Sequence, residues 1–328
     1  MLTIAMLLAG LLLLLAGGTG LVKGASAIAS HYGVSPLVVG LTVVAFGSSA
    51  PELVVNVVGA IRGETELAFG NVIGSNLANI GLVLATAAIF RPITIEGQLV
   101  RRELPLLLLG TMVLLVVAMD KPLTGMEALL TRSDGLVLLL IFSIFIYITV
   151  TDFLNSKRED ALMANILEME GMLPASKATT VKSNWMFVAA GIVALTAGGQ
   201  LTIIHGAQLA TDVGLEPVIV GMVIVAIGTS LPEFVTSIIA AINKESDLCV
   251  GNVVGSNIFN GLVVLPIAAL VRPLPVPEGG LIDVTMSLLL AGIVILVFFF
   301  GKGHMNRKFG TALLLAYLGY MTIRITTQ

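Results

Sequence analysis

The chain has 328 residues, 57% of them apolar and 11% charged, and a formal net charge of −3. With a mean hydropathy of +1.04, it holds too little polar material to cover a soluble globule, which excludes a soluble enzyme and a disordered chain. No basic patch could track a nucleic-acid backbone, the lone Cys249 forbids an internal disulfide or a cysteine metal cluster, and three histidines far apart in sequence do not make a zinc site.

What remains is a polytopic membrane protein, and its apolar stretches outrun the strands of a barrel, so the spans are helices. In chain order they are 3–22, 35–61, 67–90, 104–119, 135–151, 185–205, 217–242, 248–271, 284–300 and 309–323. The first lacks a basic leader before Leu2–Ala16 and a well-placed cleavage site, so it reads as a retained helix and not a signal peptide. The expected fold is all-α and integral to the membrane, with ten transmembrane helices in two five-helix halves, 1–151 and 185–328. They are joined by a polar linker, 152–184, that carries four basic and five acidic residues and room for a short surface helix near Asp160–Glu170.

Lys and Arg set the orientation. With the N-terminus outside, the cytoplasmic loops hold Lys23, Arg91, Arg101, Arg102, Lys157, Arg158, Lys177, Lys182, Lys244, Lys302, Arg307 and Lys308. The outer side keeps Arg62, Lys121, Arg132, Arg272 and Arg324. Both termini are therefore expected outside and the central loop in the cytoplasm.

The chain also repeats itself. Positions 36–79 align with 217–260 at a constant offset of 181, with 21 identities in 44 positions. Apolar bias produces Leu and Val matches, but it does not place Gly47, Ser49, Pro51 and Glu52 over Gly228, Ser230, Pro232 and Glu233. Nor does it set Gly70, Asn71, Gly74, Ser75, Asn76 and Asn79 over Gly251, Asn252, Gly255, Ser256, Asn257 and Asn260. Five spans per half is an odd number, so the halves start on opposite sides of the membrane and form an inverted repeat, as in many secondary transporters.

Most of the 20 acidic residues lie in loops or at span ends; Glu52 and Glu233 lie well inside. An ionised carboxylate at that depth costs about 2.5–3.5 kcal/mol on insertion scales, and no Lys or Arg shares either span except Arg62 at one end. Cations that come and go are the natural partners. Pro51 and Pro232 cannot donate to the carbonyls of Gly47 and Gly228, which frees two acceptors at the depth of the glutamates. The paired spans add Ser75 and Asn79, and Ser256 and Asn260, each pair four residues apart and so on one helix face. An all-oxygen set suits hard cations such as Ca²⁺ and Na⁺ and argues against copper and zinc. Asn71, Asn76, Asn252 and Asn257 read as packing or capping groups, and His205 and Asp212 as solvated residues near an interface.

At these residues the chain resembles the calcium/cation antiporter superfamily, which includes the sodium/calcium exchangers. Its motifs Gly47-Ser48-Ser49-Ala50-Pro51-Glu52 and Gly228-Thr229-Ser230-Leu231-Pro232-Glu233 match that family's repeats. The stretch 100–106 and the turn at Arg132-Ser133-Asp134-Gly135 are similar to its bacterial YrbG-type branch. The resemblance implies that Glu52 and Glu233 are carboxylates shared by Ca²⁺ and Na⁺, with Ser48 and Thr229 offering oxygens to the same centre. Ser49, Ser230, Ser75 and Ser256 would line flanking sodium sites, and Asn79 and Asn260 would complete the middle. Potassium-dependent members carry Asp where this chain has Asn260, so two central carboxylates replace three and K⁺-independent transport is expected. The large cytoplasmic calcium-sensing domain of animal exchangers has no counterpart here.

The function expected is electrogenic Na⁺/Ca²⁺ antiport by alternating access in the plasma (inner) membrane of a prokaryote. It needs no cofactor beyond the transported ions and no covalent chemistry, so a transporter is expected and not an enzyme; a monomer in the lipid bilayer is the working expectation. A proton/Ca²⁺ antiporter using the same Glu pair is the second reading, and a cation channel or a membrane scaffold the third.

Overall fold

The computed structural model describes residues 2–94, 97, 99–120, 123, 125, 127–169, 181–212, 226–300 and 302–326. Helix α1 spans Leu2–Tyr32. Helices α2 (Pro36–Ser48) and α3 (Ala50–Arg62) form one broken span bent by 44°. Helix α4 (Leu67–Phe90) and strand β1 (Ile93–Thr94) follow. The half ends with α5 (Leu104–Ala118), β2 (Leu129–Leu130) and α6 (Arg132–Met169).

The second half opens with α7 (Val181–Asp212), then α8 (Ala226–Thr229) and α9 (Leu231–Ile242). Helix α10 (Ser246–Val271) leads into β3 (Leu274–Pro275) and α11 (Gly280–Phe300). Strand β4 (His304–Met305) and α12 (Arg307–Thr326) close it. The stretch 217–225 of the second repeat lies outside the described residues.

Six of these helices are long and apolar enough to cross a membrane, and seven if α2 and α3 count as one span. At 15 residues, α5 rises about 22 Å, short of a hydrocarbon core of about 30 Å; a π-helical turn at Leu99–Glu103 leads into it. Two further points differ from the sequence expectation. Helix α6 runs on to Met169 without a break, so no separate surface helix begins at Asp160. His205 is half-buried, and its Nδ1 has no partner among the described residues.

The inversion is visible in helix packing. Gly10, Gly17 and Gly24 of α1 meet Gly198, Gly191 and Asn184 of α7 in reversed order, so the two opening helices run antiparallel. A Cβ on Gly17 would sit 2.7 Å from the Leu195 backbone nitrogen, and one on Gly191 would sit 2.7 Å from that of Leu21. Only glycine permits so close an approach, as small residues do in membrane helix pairs generally.

Two short antiparallel ladders tie the halves together. Ile93 pairs with Met305, and Leu130 with Leu274. The two ladders stand at opposite ends of α5.

Helices α4 and α10 form the centre: 78% and 89% of their apolar windows are buried, against 28% for α1 and for α7. Phe46 of α2 stacks on Phe259 of α10 with centroids 4.7 Å apart. The broken spans α2–α3 and α8–α9 pack against this inner pair, which carries their glutamates to the middle of the molecule.

Candidate functional site

Each glutamate owes its position to a break in its span. The backbone at Ser49 (φ −87°, ψ 2°) and Ser230 (φ −90°, ψ 6°) leaves the helical region, and a new helix starts one residue later. Pro51 and Pro232 take the second position of that helix, where the missing N–H costs nothing. Glu52 and Glu233 then fall in the first turns of α3 and α9, at helix N-termini whose free N–H groups favour negative charge. Both are fully enclosed, with 1% and 0% of their surface exposed.

Around them the predicted residues converge. Ser49, Ser75 and Asn260 surround the Glu52 carboxyl, and the Glu233 charge is near enough to act on it. Ser49 donates its hydroxyl to Glu233 Oε1 at 2.7 Å, and Ser48 also borders Glu233. Asn79 and Asn260 each begin a π-helical segment, Asn79–Leu84 and Asn260–Val264, inside the inner helices. Such segments cluster at functional sites because they displace the helical register locally.

Most of these polar atoms have no hydrogen-bond partner among the described residues. The set includes both Glu52 oxygens, Glu233 Oε2, the hydroxyls of Ser75, Ser230 and Ser256, Asn79 Oδ1 and Asn260 Oδ1. Buried polar groups are nearly always paired, and each orphan costs about 1–3 kcal/mol. A concentration of them in one place, mostly oxygens, is the arrangement that hard cations complete. Among the described residues no three His, Cys, Asp or Glu side chains cluster, so the centre has two carboxylates and a shell of neutral oxygens.

Pseudo-symmetry shows which predicted residues act together. Ser48 donates to Asn252 Oδ1 at 3.2 Å, and its counterpart Thr229 donates to Asn71 Oδ1 at 3.2 Å. These hydroxyls are therefore committed, and the Asn71 and Asn252 that sequence reasoning assigned to packing brace the two breaks. Asn252 also donates to Ser237 Oγ at 2.9 Å and to the Glu233 carbonyl at 3.4 Å.

Other equivalences are broken. The Ser49 hydroxyl bonds Glu233, but the Ser230 hydroxyl bonds neither Glu52 nor any other described residue. Asn252 bonds Ser237, yet Asn71 Nδ2 and its equivalent acceptor, Asn56 Oδ1, are both without partners. Asn79 donates to Asn257 Oδ1 at 2.9 Å, whereas Asn260 Nδ2 and Asn76 Oδ1 do not meet. Each pair is closed on one side of the pseudo-twofold and open on the other.

Two polar residues of the centre escaped the sequence reading. Thr236 is buried with its Oγ1 unpartnered, and Asn56 is buried with its amide donated to the Glu52 carbonyl at 2.7 Å. They lie three and four residues beyond their glutamates, on the same helix face, and that spacing is the signal that points to them. A third enclosed carboxylate, Glu103, belongs elsewhere: it accepts from Arg102 Nε at 2.6 Å.

Fold and site together define a membrane carrier for cations, built from two inverted halves that meet at a pair of buried carboxylates. The family model for sodium/calcium exchanger proteins matches residues 2–151 and 183–326, and the chain belongs to that family. The inner membrane protein YrbG of Escherichia coli is 34% identical over 83% of this chain and 81% of its own. The protein named CaxA of Alkalimonas amylolytica is 35% identical over 95% of each. The sodium/calcium exchanger MaX1 of Methanosarcina acetivorans is 28% identical over 97% of each. A structure of the sodium-calcium exchanger NCX_Mj, soaked with Na⁺ and Sr²⁺, superposes with a TM-score of 0.82 over 98% of both chains at 26% identity. The chain is thus an integral membrane antiporter of the cation/Ca²⁺ class and not an enzyme.

Proposed function

We propose that the protein exchanges Na⁺ for Ca²⁺ electrogenically and without K⁺, and that Glu52 and Glu233 hold the ions. The observation that carries this reading is the set of unpartnered buried oxygens centred on the two carboxylates. Two ionised carboxylates give the centre a charge of about −2, which one Ca²⁺ or two Na⁺ neutralise, and further Na⁺ can rest on neutral oxygens alone. Asn79 and Asn260 supply oxygens to the middle, and Ser49, Ser230, Ser75 and Ser256 line the flanks. Ser48 and Thr229 add backbone carbonyls, their hydroxyls being donated to Asn252 and Asn71.

Either ion load makes the centre tolerable in a low-dielectric interior, while the bare charge pair does not reorient. Outward movement of one ion is thereby tied to inward movement of the other. The half-closed equivalences support alternating access. In the opposite-facing state the closed and open partners exchange, so that Ser230 bonds Glu52 while Ser49 releases Glu233. In this reading the site lies between repeats 1–151 and 185–328, with 152–184 as the cytoplasmic connector, and both termini lie outside an inner membrane; the excess of Lys and Arg in the loops taken as cytoplasmic supports that orientation.

The test is radioactive Ca²⁺ uptake into proteoliposomes of the full chain. Uptake that requires internal Na⁺, and that a membrane potential accelerates, is the expected outcome. Uptake driven by a pH gradient with K⁺ inside would transfer the coupling to protons at the same glutamates.

A further inference from the structure

The two ends of the molecule are related by the repeat, and they differ. At one end Arg132, the first residue of α6, donates through Nε and Nη2 to the carbonyls of Leu270 and Val271 at 3.0 and 3.3 Å. Arg272 lies over the turn at Gly63, where a Cβ would meet its Nη1 at 2.8 Å. Both guanidinium groups at that end are therefore packed against backbone. Their counterparts at the other end are Arg307, the first residue of α12, and Arg91, which follows α4. The matched ladders, Leu130 with Leu274 and Met305 with Ile93, bring each pair of arginines together.

The second pair is not packed away. Arg91 and Arg307 have no ion pair among the described residues. They border a cavity of about 540 Å³ whose remaining lining is Phe90, Pro92 and Ile242. Phe90 and Ile242 end the spans α4 and α9 and are 59% and 55% exposed, so the cavity opens where hydrocarbon gives way to headgroups. At the turn that Gly63 makes with φ 88° in the first half, the second half has Lys244 at φ 71°. An L side chain rarely adopts that conformation, and here it sets a third cation two residues beyond Ile242.

The geometry points to a binding site for an anionic phospholipid at this end. The phosphate lies between Arg91 and Arg307, and the upper acyl chain lies along Phe90 and Ile242. Guanidinium groups match phosphate oxygens in a fork, and a site that is basic on one side and apolar on the other selects a lipid over a free anion. The basic-loop majority puts this end at the cytoplasmic leaflet.

Titration of the purified full chain with phosphatidylglycerol, read by native mass spectrometry, tests it. The expected result is selective retention of phosphatidylglycerol over phosphatidylcholine. In Arg91→Gln/Arg307→Gln that selectivity falls roughly 25-fold, at about fivefold per cation, while Arg132→Gln/Arg272→Gln at the opposite end leaves it unchanged. If the double variant does not fold, the exposed Arg307→Gln alone carries the test, with a fall of about fivefold. Equal retention by the variant and the parent chain would overturn the site. So would full competition by inorganic phosphate, which would make it an anion site with no lipid. The readout is lipid retention and not transport, so it stands apart from the exchange reading.

Discussion

At the residue scale, the two glutamates are enclosed with no ion pair to any cation among the described residues, and the neighbouring hydroxyls and amides are too weak to replace one. Replacing Glu52 or Glu233 by Gln removes the charge and keeps the shape. Each single variant is expected to abolish Na⁺-dependent Ca²⁺ uptake while eluting as a folded protein in detergent, and uptake retained in both would sink the proposed site. Asn260→Asp makes a third carboxylate, so one Ca²⁺ no longer neutralises the centre. Uptake in that variant is expected to need an added monovalent cation, measured as stimulation by K⁺. The glutamates, with Ser75, Asn79, Ser256 and Asn260, were legible in the sequence because charge and hydroxyls are conspicuous in apolar spans. Thr236 and Asn56 were not, because a single threonine or asparagine in a membrane helix serves packing equally well. Asn252 and Asn71 read as packing groups, and they serve the structure by accepting hydrogen bonds from Ser48 and Thr229 at the two breaks.

At the scale of elements, the breaks at Ser49 and Ser230 are where the inverted halves differ. Ser49→Ala removes a hydroxyl that bonds Glu233, whereas Ser230→Ala removes one with no partner among the described residues. In the conformer described here, the first change should cost about 1.5–3 kcal/mol, as hydrogen bonds to charged groups do, and the second almost nothing. Thermal melting in detergent should separate the two variants. Trapping the opposite-facing state should reverse their order, and an order that persists would contradict an exchange of partners. The breaks themselves were readable from Pro51 and Pro232. Which half is closed was not, because the two motifs are nearly the same sequence and the difference belongs to the conformer. The π-helical segments at Asn79 and Asn260 likewise left no local signal.

For the whole molecule, ten spans follow from hydropathy, but length and composition make six of the described helices clear on their own and a seventh when the bent pair is joined. Helix α5 is short, and α8–α9 is broken and continues outside the described residues. Packing supplies what length does not, since such segments sit against the inner pair α4 and α10. The seam between α1 and α7 leaves no room for a side chain at its glycines. Gly17→Leu or Gly191→Leu forces a side chain into backbone and should destabilise by about 1–3 kcal/mol. A lower melting temperature together with a separation of the two helices, seen by cysteine cross-linking, would register it.

That seam also bears on how the chain is made. Helix α1 is made before α7, and its row of Gly10, Gly17 and Gly24 stays uncovered until α7 has been synthesised. During that interval the row is an adhesive strip with no owner, open to the same strip on another nascent chain. An N-terminal half produced alone keeps it exposed for good. Biogenesis of this protein is therefore a race between completing α7 and pairing with the wrong neighbour.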